Sequence, residues 1–297
     1  MHTKKEEVLT KDNDEPPPLG NTQQLNLNLN LIYNEPPQTE PSPPLPVQAE
    51  LSKWYDWKWQ LRNRIRTLDE LKKLFPSIKE VDGLKEASAR FPMAITPYYA
   101  SLIRKLDDTD PVFRMIIPQL DELVDPPFLR EDPLEEDIDS PLPGLVHRYR
   151  DRALIITTTM CASYCRYCTR KRVAGQRETT LSSRNLKHIC EYLSSHPEVK
   201  DVILSGGDPL TLSTEHLRQI LAAVRSVKSV EIVRIGSRVP VTLPMRITDE
   251  LVDMLAQFHP LYLNTHFNHP VEITPQSFEA CTKLANAGIP LGNQSVL

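Results

Sequence analysis

Residues 153–172 read "ALIITTTMCASYCRYCTRKR", a β-branched run of the kind that forms a buried strand, followed at once by Cys161, Cys165 and Cys168 in C-x3-C-x2-C spacing. The chain has only five cysteines in 297 residues, too few for a disulfide-dense scaffold. Three thiols packed this closely would make strained mutual bridges. Ligation of a metal or cluster is the chemistry that such spacing serves.

The same strand-like texture recurs downstream, in "VKDVILSGGD" (199–208), "SVEIVRIGSR" (229–238), "PLYLNTHFNHP" (260–270) and "GIPLGNQSVL" (288–297). Between these runs lie amphipathic helical segments such as "SSRNLKHICEYLSSH" and "STEHLRQILAAVRSV". Strands alternating with helices predict parallel βα units, with each apolar strand covered on both faces. At roughly 30 residues per unit, residues 148–297 hold about five units of a βα barrel. Polar residues sit just past the strand ends, on the face where a barrel builds its chemistry. Five strands would leave an unpaired edge, and the sequence stops inside a strand-like run. We therefore expect the natural chain to extend past Leu297, and an open edge predicts association of copies.

Upstream of the barrel the organisation differs. Residues 1–50 hold nine of the 27 prolines and the polar run "QQLNLNLNLN", which cannot bury enough apolar surface to offset ordering entropy and predicts a disordered tail. Residues 51–147 read as a helical region. Trp54, Trp57, Leu61 and Ile65 share one face at helical spacing, a stripe that reads as core, and "TLDE" and "SIKE" match the capping box with starts at Thr67 and Ser77. The Pro- and acid-rich stretch 125–152 reads as an ordered connection.

The formal net charge of −4 gives no global positive field for nucleic acid. No apolar run approaches the length of a membrane span, and the N-terminus lacks a signal-peptide core, so a cytoplasmic setting is expected.

Zinc competes for the cysteines, but its fourth ligand is hard to place, because Cys190 and His188 belong to a predicted amphipathic helix. Ferredoxin-type C-x2-C-x2-C spacing differs from the spacing here. Three thiolates would leave one iron of a [4Fe-4S] cube open. With "SGGD" at the next strand end, the pattern resembles the radical S-adenosylmethionine superfamily. That resemblance implies that S-adenosylmethionine chelates the open iron. It also implies that Ser205, Gly206, Gly207 and Asp208 form the methionyl-binding strand end, with Tyr167 beside the adenine.

The blocks "WKWQLRNRI", "DSPLPGLVHRYRDR", "CASYCRYCTRKR", "VILSGGDPL", "VEIVRIGSRVPV", "LNTHFNHP" and "GIPLGNQSVL" narrow the resemblance to the lysine 2,3-aminomutase family, across residues 51–297. It implies a 1,2-amino shift in which a 5'-deoxyadenosyl radical takes hydrogen from the substrate β-carbon and pyridoxal phosphate carries the nitrogen. It further implies that Arg148, Tyr149 and Arg152 surround the pyridoxal phosphate group, that Arg170 pairs with the substrate carboxylate, and that Gln294 lies near S-adenosylmethionine. The substrate would be a small amino acid, by default lysine, and the electron donor a protein such as flavodoxin or ferredoxin. The family's Schiff-base lysine lies beyond the last matched block and is not in this chain. Relatives acting on glutamate or on a protein lysine share these blocks, and a non-catalytic metal-cluster module is the alternative of a different class.

Overall fold

In this computed structural model, residues 51–76, 84–128 and 130–296 are described, with the side chains of residues 51 and 52 excluded. The expected tail over 1–50 and the expected helix start at Ser77 lie outside these residues.

Six strands form one sheet in the order β1 to β6: β1 Leu145–Tyr149, β2 Arg152–Thr158, β3 Asp201–Gly206, β4 Ile232–Gly236, β5 Leu261–Thr265 and β6 Leu291–Asn293. From β2 to β6 every pairing is parallel, in register Ile155 to Leu204 to Ile235 to Leu263 to Leu291. Four of these strands lie inside the β-branched runs of the sequence, and β2 begins one residue before its run, at Arg152. β1 is antiparallel to β2 and was not expected, because its sequence "LVHRY" has only two apolar residues before a charged turn.

Helices Ser183–Ser195, Thr214–Arg225, Asp249–Ala256 and Pro275–Asn286 link the parallel strands. Each starts on a side-chain cap: Ser182, Ser213, Thr248 and Thr274 accept a backbone N–H of the first turn. Alternate strand residues such as Ile155, Leu204, Ile235 and Leu263 are fully buried in one core with the helix residues Ile189, Leu221 and Leu255. The intervening residues Leu154, Ile203, Arg234 and Tyr262 are half-buried or exposed. Helices thus cover one face, not both as expected. The other face is the inner wall of a partial α/β barrel, where burial alternates with period 2 although inner residues such as Leu154, Ile156 and Ile203 are themselves apolar.

In the helical region, the single stripe expected from Trp54 to Ile65 is broken. Asp56 caps a second short helix, Trp57–Arg62, by accepting Lys58 N–H at 2.8 Å. Trp54, 2% exposed, packs in a second core with Ile95, Tyr98 and Ile116, whereas Trp57 packs against the barrel core. Ile65 makes a β-bridge to Ile95. The capping box at Thr67 is present, with reciprocal bonds to Glu70 of 3.2 and 3.1 Å. Among the described residues no helix is long and apolar enough to cross a membrane.

Candidate active site

β2 ends at Thr158, and the cysteine segment leaves from the C-terminal edge of the sheet. Backbone bonds fasten it to the helical region, from Tyr164 N–H to Ala94 C=O (2.9 Å) and from Arg166 N–H to Met115 C=O (2.8 Å). Arg64 donates to the Cys161 carbonyl. The cations around the cysteines are all paired. Arg166 and Lys171 meet Glu122, Arg170 meets Glu136, and Arg172 meets Asp132 and Asp137. They are therefore brackets between the cysteine segment and the acidic stretch before β1, not a solvated basic face.

All three thiols of the segment are free and partly buried. Burial, then Asp208 and the other two cysteines, hold the Cys161 thiol well above its usual range. Burial and Cys165 push the Cys168 thiol up as well. Cys161 and Cys168 thus keep their protons at neutral pH unless a cation takes the sulfurs as ligands. Among the described residues no three His, Cys, Asp or Glu side chains converge as one ion requires.

The Gly-Gly of β3 is explained by backbone packing. Gly207 N–H donates to Thr158 C=O (2.5 Å) and Asp208 N–H to Met160 C=O (2.8 Å), binding the β3 end to the start of the cysteine segment. A Cβ at Gly207 would stand 2.3 Å from Met160 O, and one at Gly206, where φ is +120°, 2.4 Å from Thr158 O. The buried Asp208 carboxylate accepts from Leu210 N–H (3.0 Å), Ser237 Oγ (2.7 Å), Arg238 N–H (2.8 Å) and Val239 N–H (3.1 Å). It ties the β3 end to the β4 end. Burial raises its pKa to about 6.

Arg170 lies beside this end, with Nη1 3.4 Å from Ser205 Oγ. Tyr167 accepts from Asn268 Nδ2 at 2.6 Å, and burial, then Cys165, push its hydroxyl well above the usual range. Gln294 is exposed just past β6, its N–H on Thr265 C=O (2.9 Å). A cavity of about 420 Å³ opens on the Arg170 side of the β3 end, lined by Glu136, Thr159, Arg170, Arg172, Gly206 and Gly207 but not by Tyr167, Gln294 or the three cysteines.

Arg148, Tyr149 and Arg152 are not in this group. They flank the turn between β1 and β2, separated from the cysteines by the length of β2, about 20 Å at 3.3 Å per residue. Arg152 and Arg234 converge on Asp201, and Tyr149 lies 5.9 Å from the Arg152 guanidinium. Asp201 Oδ1 is buried without a partner. Arg148 donates to the Leu134 carbonyl (2.7 Å), and Arg152 and Arg234 at the other end of the inner wall are both paired with Asp201.

Sequence reading missed Glu136, Arg234, Arg238 and Glu272. Arg234 has a visible signal, a charge at an alternating position of "VEIVRIGSR". The others meet their partners only through the fold. The His266 carbonyl accepts from Arg238 Nε (3.4 Å), and His269 Nδ1 accepts Val271 N–H (3.2 Å).

Residues 155–293 match the radical SAM superfamily. The chain is 54% identical over 245 residues to the L-lysine 2,3-aminomutase of Clostridium subterminale, covering 82% of this chain and 59% of that protein. It is 45% identical over 247 residues to the glutamate 2,3-aminomutase of Clostridioides difficile, covering 82% and 58%. It is 35% identical over 245 residues to the L-lysine 2,3-aminomutase of Escherichia coli, covering 82% and 71%. The chain thus spans about three-fifths of the length of the first two relatives.

Proposed function

The chain belongs to the lysine 2,3-aminomutase family within the radical SAM superfamily, and from that premise we propose that it takes part in a radical 1,2-amino shift on a small amino acid, lysine by default. The supporting observation is the stitch between strand ends. Gly207 and Asp208 hold the segment carrying Cys161, Cys165 and Cys168 directly against the end of β3. Three cluster ligands and a glycine-lined strand end therefore share one face, beside an open cavity.

In this reading Cys161, Cys165 and Cys168 hold three irons of a [4Fe-4S] cluster. Ser205, Gly206 and Gly207 present the strand end to the methionyl part of S-adenosylmethionine, and Asp208 keeps that end in place. Tyr167 flanks the adenine, and Gln294 lies at the rim. When bound, the cluster supplies the electron that cleaves S-adenosylmethionine homolytically, and pyridoxal phosphate supplies the carbonyl that carries the migrating nitrogen. Arg170 anchors the substrate carboxylate through the guanidinium edge that Glu136 leaves open. Arg148, Tyr149 and Arg152 bind the phosphate at the far end of the inner wall. The electron enters from a carrier of the flavodoxin or ferredoxin type.

The test is isomerisation by the protein isolated from its natural source, kept anaerobic and given iron, sulfide, dithionite, S-adenosylmethionine and pyridoxal phosphate with 13C-labelled lysine or glutamate, followed by NMR. β-Lysine is expected. β-Glutamate alone would move the substrate to glutamate, and 5'-deoxyadenosine without either β-amino acid would refute the amino shift.

A further inference from the structure

The buried network around Arg238 is left over from the roles above. Arg238 follows β4 and is 7% exposed. Its guanidinium is fixed from every side. Nη1 lies 2.8 Å from Cys165 Sγ. Nη2 lies 2.6 Å from the Tyr99 hydroxyl, 2.7 Å from Glu272 Oε1 and 3.3 Å from Met115 Sδ. Nε lies 3.4 Å from the His266 carbonyl. The Tyr99 and Tyr167 rings lie 5.1 and 5.6 Å from its centre. Its own N–H is held by Asp208 at 2.8 Å, so the arginine hangs from the same carboxylate that joins β3 to β4.

The three cysteines are not treated alike. Cys168 Sγ accepts a neutral backbone N–H, from Arg170 at 3.3 Å. Cys165 is the one that receives a cationic donor. Glu272, fully buried, balances the guanidinium charge and accepts the N–H groups of Asn268 (2.6 Å) and His269 (3.0 Å), which hold the carboxylate in place. The buried pair is neutral in sum, but its positive end points at the sulfur.

We propose that Arg238 is a positioning residue for Cys165 that raises the reduction potential of the cluster this cysteine ligates, with Glu272 setting the size of the effect. This rests on the cluster reading given above. The physical reason is that a reduced cluster carries one more negative charge than an oxidised one. A cationic N–H donor to a ligating sulfur stabilises the reduced form more, and a nearby carboxylate offsets it.

Removing each charge therefore moves the potential in a different direction, which a purely structural role would not do. The experiment is an EPR-monitored redox titration with dithionite, on protein reconstituted anaerobically with iron and sulfide. We expect Glu272→Gln to raise the midpoint potential, because the guanidinium loses its counter-charge. We expect the double variant Arg238→Gln with Glu272→Gln to lie below wild type, because net charge is unchanged and the donor to sulfur is lost. The wild-type protein gives an independent readout. The reduced cluster should show in electron-nuclear double resonance, beyond the coupling of the Arg170 N–H at Cys168, a stronger proton coupling from the shorter Arg238 contact that disappears in D2O. Equal potentials in assembled clusters of all three proteins, or a lowered potential in Glu272→Gln, overturn the proposal, as does the absence of that stronger exchangeable coupling if the variants fail to assemble. A wild-type chain that takes up iron and sulfide in no four-iron ratio instead refutes the cluster reading, and the proposal with it.

Discussion

The carboxylate of Glu136 sits in the fork of the Arg170 guanidinium, with Nε 3.0 and 2.8 Å from its two oxygens and Nη2 2.5 Å from one of them. The two residues lie 34 positions apart and both side chains are largely buried. Only Nη1 faces the β3 end. The acidic stretch before β1 thus sets which edge of Arg170 is free.

Glu136→Ala should destabilise the fold by about 2–3 kcal/mol, because it strands a largely buried cation. Arg170→Ala in the Glu136→Ala background should then cost much less than it does alone. A double-mutant cycle by urea denaturation measures this, and additive effects would mean that the pair is not coupled.

Gly207→Ala and Gly236→Ala should behave differently, although both lie at strand ends, Gly207 directly after β3 and Gly236 as the last residue of β4. An added Cβ at Gly207 meets Met160 O at 2.3 Å, but at Gly236 the nearest atom, Ser205 Oγ, is 3.7 Å away. The first should lose several kcal/mol of stability and most iron uptake, and the second should stay within about 1 kcal/mol of wild type. Thermal denaturation with iron assay separates them.

Asp208 should leave a signature in the pH dependence of stability. Its folded pKa of about 6 lies above the unfolded value near 3.9, so the folded state binds the proton more tightly. Stability from this group is fully present below about pH 4 and is lost as pH rises to about 6, a change on the order of 2–3 kcal/mol. Asp208→Asn should be less stable throughout, because its amide cannot accept from both pairs of donors. The gap between wild type and variant should narrow from pH 4 to 6. Denaturation curves of both proteins across that range check the sign.

Arg246 ties the turn after β3 to the helical region. It is fully buried, donates to the carbonyls of Leu210 and Leu212 at 3.0 Å each, and stacks 4.4 Å from the Trp57 ring. Arg246→Met should cost about 2–3 kcal/mol by stranding two carbonyls and should alter tryptophan emission. An unchanged urea midpoint would contradict this.

How much was legible in the sequence follows from how local each signal is. The runs around Ile155, Leu204, Ile235 and Leu263 announce strands because a buried parallel strand needs β-branched and aliphatic residues next to one another. The Cys161, Cys165 and Cys168 spacing is local, and so is the Gly206–Gly207 strand end. β1 was hidden because an edge strand leaves His147, Arg148 and Tyr149 partly exposed, and such residues read as loop. The break at Asp56 was hidden because one capping aspartate interrupts a stripe that is otherwise periodic. The pairings of Glu136 with Arg170, and of Arg238 with Cys165 and Glu272, join residues 34, 73 and 34 positions apart. No spacing rule reaches such distances. They exist only because the fold brings these segments together.

The most direct test of the cluster site is the yield of 5'-deoxyadenosine from S-adenosylmethionine, measured by chromatography in anaerobic protein supplied with iron, sulfide and dithionite. Wild-type protein should form it, and Cys165→Ala should form none above the protein-free background. Equal yields from the two proteins would contradict the assignment of these cysteines to a radical-generating cluster.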